Sequence, residues 1–135
     1  TKAMETYQAG IDTNPQTIDF YFNLSLLYSR MKQYDKVSAL LQKAKEISPN
    51  DPDVLLNLGT TYYNMKQFTN AIDPLEAHLK LVPNSIDGWD TLGRVYIGLA
   101  NEYKATDAAK SKEYTDKGLA HLKKSEELVK SGEGK

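Results

Sequence analysis

Two histidines, His78 and His121, are the only side chains here suited to proton transfer near neutral pH, and they lie 43 residues apart. Neither belongs to a metal-ligand spacing such as HExxH, and His78 is expected to pack between helices rather than react. Cysteine is absent, so disulfides and thiolate metal sites are excluded. Asp87 and Asp90 stand three residues apart within a helical pattern, where paired carboxylates ordinarily serve as surface charge. Gly88, Gly93 and Gly98 lie inside the same pattern with no strand before them, so they form neither a phosphate loop nor a dinucleotide fingerprint. Asn23–Leu24–Ser25 fits the glycosylation rule, but its place in a packed helix argues against use. No catalytic residue, no metal ligand and no cofactor is expected.

The chemistry is sparse because the residues that recur are structural. Tyr21, Leu24, Ser25, Tyr28, Tyr34, Leu41 and Pro49 return 34 residues later as Leu55, Leu58, Gly59, Tyr62, Phe68, Leu75 and Pro83. The first half returns once more as Trp89, Leu92, Gly93 and Tyr96. A period of this length marks an open array of small units, each resting on its neighbours. The 135 residues carry 17 basic and 18 acidic side chains, a balance that argues against a general nucleic-acid binder. No apolar run approaches the roughly 18 residues of a membrane span, so no membrane insertion is expected. The chain reads as soluble, with cytoplasm and periplasm both open, because lack of cysteine suits either.

Helix boundaries follow from the repeat. Thr17, Asp51 and Ser85 precede three matching segments as candidate caps, and Asp19, Asp53 and Asp87 put negative charge in each first turn. Pro52 sits where its missing donor costs nothing. Val37, Leu40, Leu41, Ala44 and Ile47 form the stripe of one second helix; Ala71, Ile72, Leu75, Leu79 and Val82 form that of the next. Pro49 and Pro83 end these helices, and Pro74 should bend the one it interrupts. The short links MKQY and MKQF demand antiparallel neighbours. Ser25, Gly59 and Gly93 recur in the first helices, facing Val37, Ala71 and Gly118 in the second, as close approach requires.

The segments YFNLSLLY…QYDKVSALLQKAKEISP and LLNLGTTYYNMKQFTNAIDPLEAHLKLVP, with WDTLGRVYIG in a third unit, resemble the tetratricopeptide repeat. The resemblance implies an all-α fold, a right-handed superhelix of antiparallel helical hairpins. Residues 1–17 then read as the second helix of a truncated preceding repeat, and the chain as an excised part of a longer protein. Residues 18–51 and 52–85 are full repeats. Residues 86–130 make an extended last repeat with an insertion near 99–114, where Asp107 is a candidate cap and both helices gain one to two turns. Residues 131–135 are expected to be a disordered tail. Gly118, Leu119, Leu122, Ser125 and Leu128 fit the last second helix, 13 residues later than the period requires.

What the family implies about function is a protein or peptide partner held in a concave groove. Carried over residue by residue, that groove is lined by Asp19, Phe22, Asn23, Leu26 and Arg30 in the first unit. The second contributes Asp53, Leu56, Asn57, Thr60, Tyr63 and Asn64, and the third Asp87, Asp90, Thr91, Arg94 and Ile97. Asn23 and Asn57 stand out, since a carboxamide both donates to and accepts from an extended backbone. Phe22 and Leu26 are also candidates for packing between repeats. The clamp by which some relatives grip C-terminal carboxylates is mostly missing: Asn57 fits, but Phe22, Leu26, Asp87 and Thr91 stand where lysines, asparagine and arginine would be. The competing reading is a structural or self-assembly element that joins copies through the exposed N-terminal half-repeat.

Overall fold

The computed structural model describes residues 1–132, which form seven α-helices and no strand. They are α1 (Lys2–Thr13), α2 (Ile18–Arg30), α3 (Tyr34–Ile47), α4 (Pro52–Asn64), α5 (Phe68–Leu81), α6 (Ile86–Tyr103) and α7 (Ala108–Ser131). Each helix packs on the next in sequence, and α4 also reaches α6. The result is the expected all-α stack of antiparallel pairs. Three buried clusters run along it: one around Tyr21, Ala44 and Val54, one around Val37, Leu41 and Leu58, and the largest around Leu75, Leu92, Val95 and Leu99.

Helix starts follow the caps with one exception. Asp51 accepts from the amides of Asp53 and Val54, Ser85 from Gly88, and Asp107 from Lys110. Thr17 makes no such side-chain bond, so the first of the three expected caps is empty. The links after α2 and α4 close with the same geometry. Lys32 and Lys66 adopt left-handed backbone at φ 58° and 59°. The following amides, Gln33 and Gln67, bond back to the carbonyls of Tyr28 and Tyr62, while Lys32 and Lys66 bond to Ser29 and Tyr63. This double bond pattern satisfies the open helix end, at a cost of about 1 kcal/mol for a side-chain-bearing residue in that region.

In the last two pairs the first-helix glycines admit close approach, and of the expected facing residues Gly93 meets Gly118. A Cβ on Gly59 would lie 2.5 Å from Leu75, and one on Gly93 would lie 2.9 Å from Leu122 and 3.0 Å from the carbonyl of Gly118. Leu122 follows Leu75 by 47 residues, which places the 13 extra residues before the shared register resumes. They lengthen both helices of the last pair, to 18 and 24 residues against 13 and 14 in the pair before. Leu119 departs from its expected place in the stripe, being 56% exposed. α7 includes Ser131, and Gly132 follows it in left-handed backbone; residues 133–135 of the expected tail lie outside the described residues.

The long hairpin is closed by a column of rings. Trp89, Tyr96 and Tyr103 recur every seven residues on α6, and His121 and Tyr114 do so on α7. The rings alternate from helix to helix: Trp89–His121 at 5.1 Å, His121–Tyr96 at 5.3 Å, Tyr96–Tyr114 and Tyr114–Tyr103 at 5.9 Å. Ser111 adds a bond of 2.8 Å to the carbonyl of Ala100.

Between pairs, one contact repeats with its sizes redistributed. A Cβ on Gly10 would strike the ring of Phe20 at 2.6 Å. Thirty-four residues on, Ala44 and Val54 share a buried cluster. At the same step again, a Cβ on Gly88 would lie 2.8 Å from His78. As the second-helix residue grows from Gly to Ala to His, its partner shrinks from Phe to Val to Gly. Filled interiors tolerate neither overpacking nor voids.

This matching predicts coupled energetics. His78→Ala should cost about 2–3 kcal/mol through lost contacts and bonds. Gly88→Val should cost about 1–3 kcal/mol by crowding His78. The double variant, which recreates the Ala44–Val54 pair, should lose at least about 1 kcal/mol less than the sum in chemical denaturation. Strictly additive losses would show that the two residues do not share one space.

Candidate functional site

The residues that the repeat pattern singles out lie on α2, α4 and α6, and six of the sixteen border two depressions. The first, about 220 Å³, is bordered by Asp19, Phe22 and Asp53 with Ile18, Asp51 and Val54. The second, about 310 Å³, is bordered by Tyr63, Arg94 and Ile97, together with Phe68, Gly98 and Asn101. Leu26, Arg30, Asn64 and Asp87 are exposed, while Asn23, Leu56, Asn57, Thr60, Asp90 and Thr91 are half-buried; none of these ten lines either depression.

Local bonding decides which of these groups is free to act. Asn57 already donates to the Asp53 carbonyl at 2.7 Å, and Thr60 to that of Leu56 at 2.9 Å. Asn23 makes no side-chain hydrogen bond among the described residues, so its whole amide is available. Arg94 is engaged by Asp90 at 2.9 Å, a charged hydrogen bond that raises the guanidinium pKa further. Phe22 packs beside Val54 and Leu58 of the following unit, and Leu56 and Tyr63 pack against the cluster around Leu92. The apolar part of this face is thus partly consumed in joining repeats. Leu26, 40% exposed, keeps an open apolar surface.

His78 is the packing residue expected of it, and its bonds define why. It is 3% exposed, with Nδ1 2.7 Å from the Pro52 carbonyl and Nε2 2.7 Å from Ser85 Oγ. A carbonyl only accepts, so Nδ1 carries the proton and Nε2 accepts from the Ser85 hydroxyl. Ser85 Oγ in turn accepts from the Gly88 amide at 2.9 Å. The ring ties the starts of α4 and α6 to α5.

The opposite side of the array carries a larger opening that lies outside the repeat signature. Glu76, Leu79 and Lys80 of α5, Pro83 of the link that follows, Trp89 and Leu92 of α6, and His121 of α7 border a cleft of about 420 Å³. Trp89 Nε1 donates to the Pro83 carbonyl at 2.8 Å, and Tyr21 donates to Pro15 in the same manner at 2.7 Å. His121 bonds the Lys117 carbonyl through Nδ1 at 2.8 Å. The signal for this cleft was the heptad spacing of the aromatic residues, which the 34-residue period masks. Among the described residues, no group of three or more histidines or carboxylates is placed to hold a metal ion, and no helix is long and apolar enough to cross a membrane.

Burial lowers the His121 pKa from 6.5; nearby Lys117 lowers it as well, against the Lys117 carbonyl bond and Glu76, which raise it. The folded protein therefore binds this proton less readily than the unfolded chain. The stability His121 contributes is present above pH 6.5 and is lost as pH falls through the depressed value. His121→Phe keeps a ring and removes the titration. Its melting temperature should fall less between about pH 7 and 5 than that of the unaltered protein. Parallel pH profiles would assign the acid sensitivity to other groups.

Comparison with known proteins places the array. Two models of the tetratricopeptide repeat match, over residues 18–51 and 53–85. No curated protein matches the chain. Among solved structures, MamA MSR-1 is similar at 28% identity and a TM-score of 0.67, covering 96% of this chain and 67% of its own. MamA AMB-1 is similar at 27% identity and a TM-score of 0.68, with 94% of this chain covered and 62% of its own. A thermophilic TPR protein of Thermus thermophilus, at 22% identity and a TM-score of 0.74 over 83% of this chain and 57% of its own, shares the fold. The chain spans about two thirds of the length of the MamA structures.

Proposed function

Because the chain belongs to the tetratricopeptide-repeat family, a fold that mediates protein–protein interaction, we propose that it holds a peptide or partner domain on the face of α2, α4 and α6. The observation that carries this reading is the unengaged amide of Asn23 beside exposed Leu26, one turn apart on α2. Asn57 contributes its carbonyl oxygen, since one of its N–H groups is spent on Asp53. Together they offer hydrogen bonds to an extended backbone and an apolar surface to its side chains. Tyr63 and Ile97 border the second depression, where a further side chain would sit.

The test is capture of partners from an extract of the source organism, comparing the unaltered chain with Asn23→Ala/Asn57→Ala. Both asparagines lie partly in solvent, so the variant should fold, as circular dichroism would verify. Captured proteins should fall by about tenfold, the loss of one or two net hydrogen bonds. Undiminished capture would move the binding surface elsewhere.

A second reading, assembly of copies through the N-terminal helix, rests on α1. It packs on α2, and none of its residues is buried. Met4, Tyr7 and Ile11 are half-buried at helical spacing. If this surface joins copies, sedimentation should show a concentration-dependent rise in mass that Tyr7→Glu abolishes. A monomer throughout the high micromolar range would remove this reading and leave the groove as the interaction surface.

A further inference from the structure

The ring column along α6 and α7 already takes cations at two of its three α6 rings. Lys110 lies over Tyr103 at 4.4 Å and Lys117 over Tyr96 at 5.5 Å. Trp89, the third ring and the type that attracts cations most strongly, has none over it among the described residues. The seven-residue series 110, 117, 124 places Lys124 at the corresponding step, yet Lys124 is exposed and meets no ring. His121 meets Trp89 in a T-shaped contact instead, at 5.1 Å. Trp89 opens into the cleft of about 420 Å³ between α5 and α7.

The groups around that cleft are short of donors. Glu76 makes no ion pair among the described residues, although it stands near His121 and Tyr96. The Trp89 indole hydrogen is spent on Pro83. His121 Nδ1 faces a carbonyl and so carries the proton, which leaves Nε2 as an acceptor. Burial disfavours the charged form of this ring, which lessens its repulsion of an incoming cation. Leu79 and Leu92 belong to the buried core beneath the cleft, and only Lys80 brings a donor to its rim.

We propose that this cleft on the α5–α7 side is a docking site for an arginine side chain of a protein partner. The guanidinium stacks on Trp89 and donates to the Glu76 carboxylate and to His121 Nε2. A planar fork with five donors suits a ring face flanked by two separate acceptors better than a compact ammonium does. The surface is distinct from the α2–α4–α6 face, so it stands or falls independently of the groove.

The single tryptophan makes the test direct. The full chain, labelled with ¹⁵N, is titrated with N-acetyl-arginine amide while the Trp89 indole signal is followed. A saturable shift is expected, with the neutral isostere N-acetyl-citrulline amide binding about tenfold more weakly. Glu76→Gln, at an exposed position, should weaken the arginine probe by about tenfold. Lys80→Gln and Lys124→Gln should leave it unchanged or tighten it, and Asn23→Ala/Asn57→Ala should leave it unchanged. Equal binding of the citrulline probe, no saturable shift, or tighter binding of N-acetyl-glutamate amide that is lost in Lys80→Gln would each overturn the assignment.

Discussion

The whole array rests on how closely each helix can approach the next. Because contacts run almost wholly between neighbours in sequence, no distant part of the chain can compensate for a poor fit. Where a pair closes, Gly59 and Gly93 let a leucine of the second helix lie against backbone. Where pairs meet, the two facing residues have complementary sizes. A glycine within a helix costs about 1 kcal/mol in intrinsic preference. Here that cost is offset by the apolar area that close approach removes from water.

The same constraint shapes both candidate surfaces. On the α2–α4–α6 side, Phe22, Leu56 and Tyr63 are half-withdrawn because they also pack against a following unit. What remains for a partner is a pair of shallow depressions with carboxamide and leucine between repeats. On the other side, the cleft at Trp89 lies between α5 and α7. Both surfaces are by-products of where the helices touch and where they part.

Much of this was legible in the residues. The period, the aspartate and serine caps, the terminating prolines and the registered glycines each reflect a local rule that acts within a few positions. The register shift before Gly118 was also legible, because Leu122 had to find the place of Leu75. Other features were hidden. Thr17 is of the right type for a cap, yet it makes no side-chain bond. Asn57 has the right type for peptide binding, but its own helix claims one of its hydrogens. The ring column needed α6 to continue past Gly98, and only then do Tyr103 and Tyr114 meet. His78 looked like a misfit for a small site until Gly88 was seen to vacate the space.

The graded seam contact bears on how such an array can change its length. Tandem genes of this kind gain and lose units by unequal recombination at their repeated segments. Duplicating residues 52–85 would bring a second Val54 against His78, two large groups in one space. Deleting them would set Ala44 against Gly88 and leave a void. Either event breaks the size match, so the copy number is guarded by the packing itself. Substitution within units, or longer helices within one pair as in α6 and α7, leaves the size match intact.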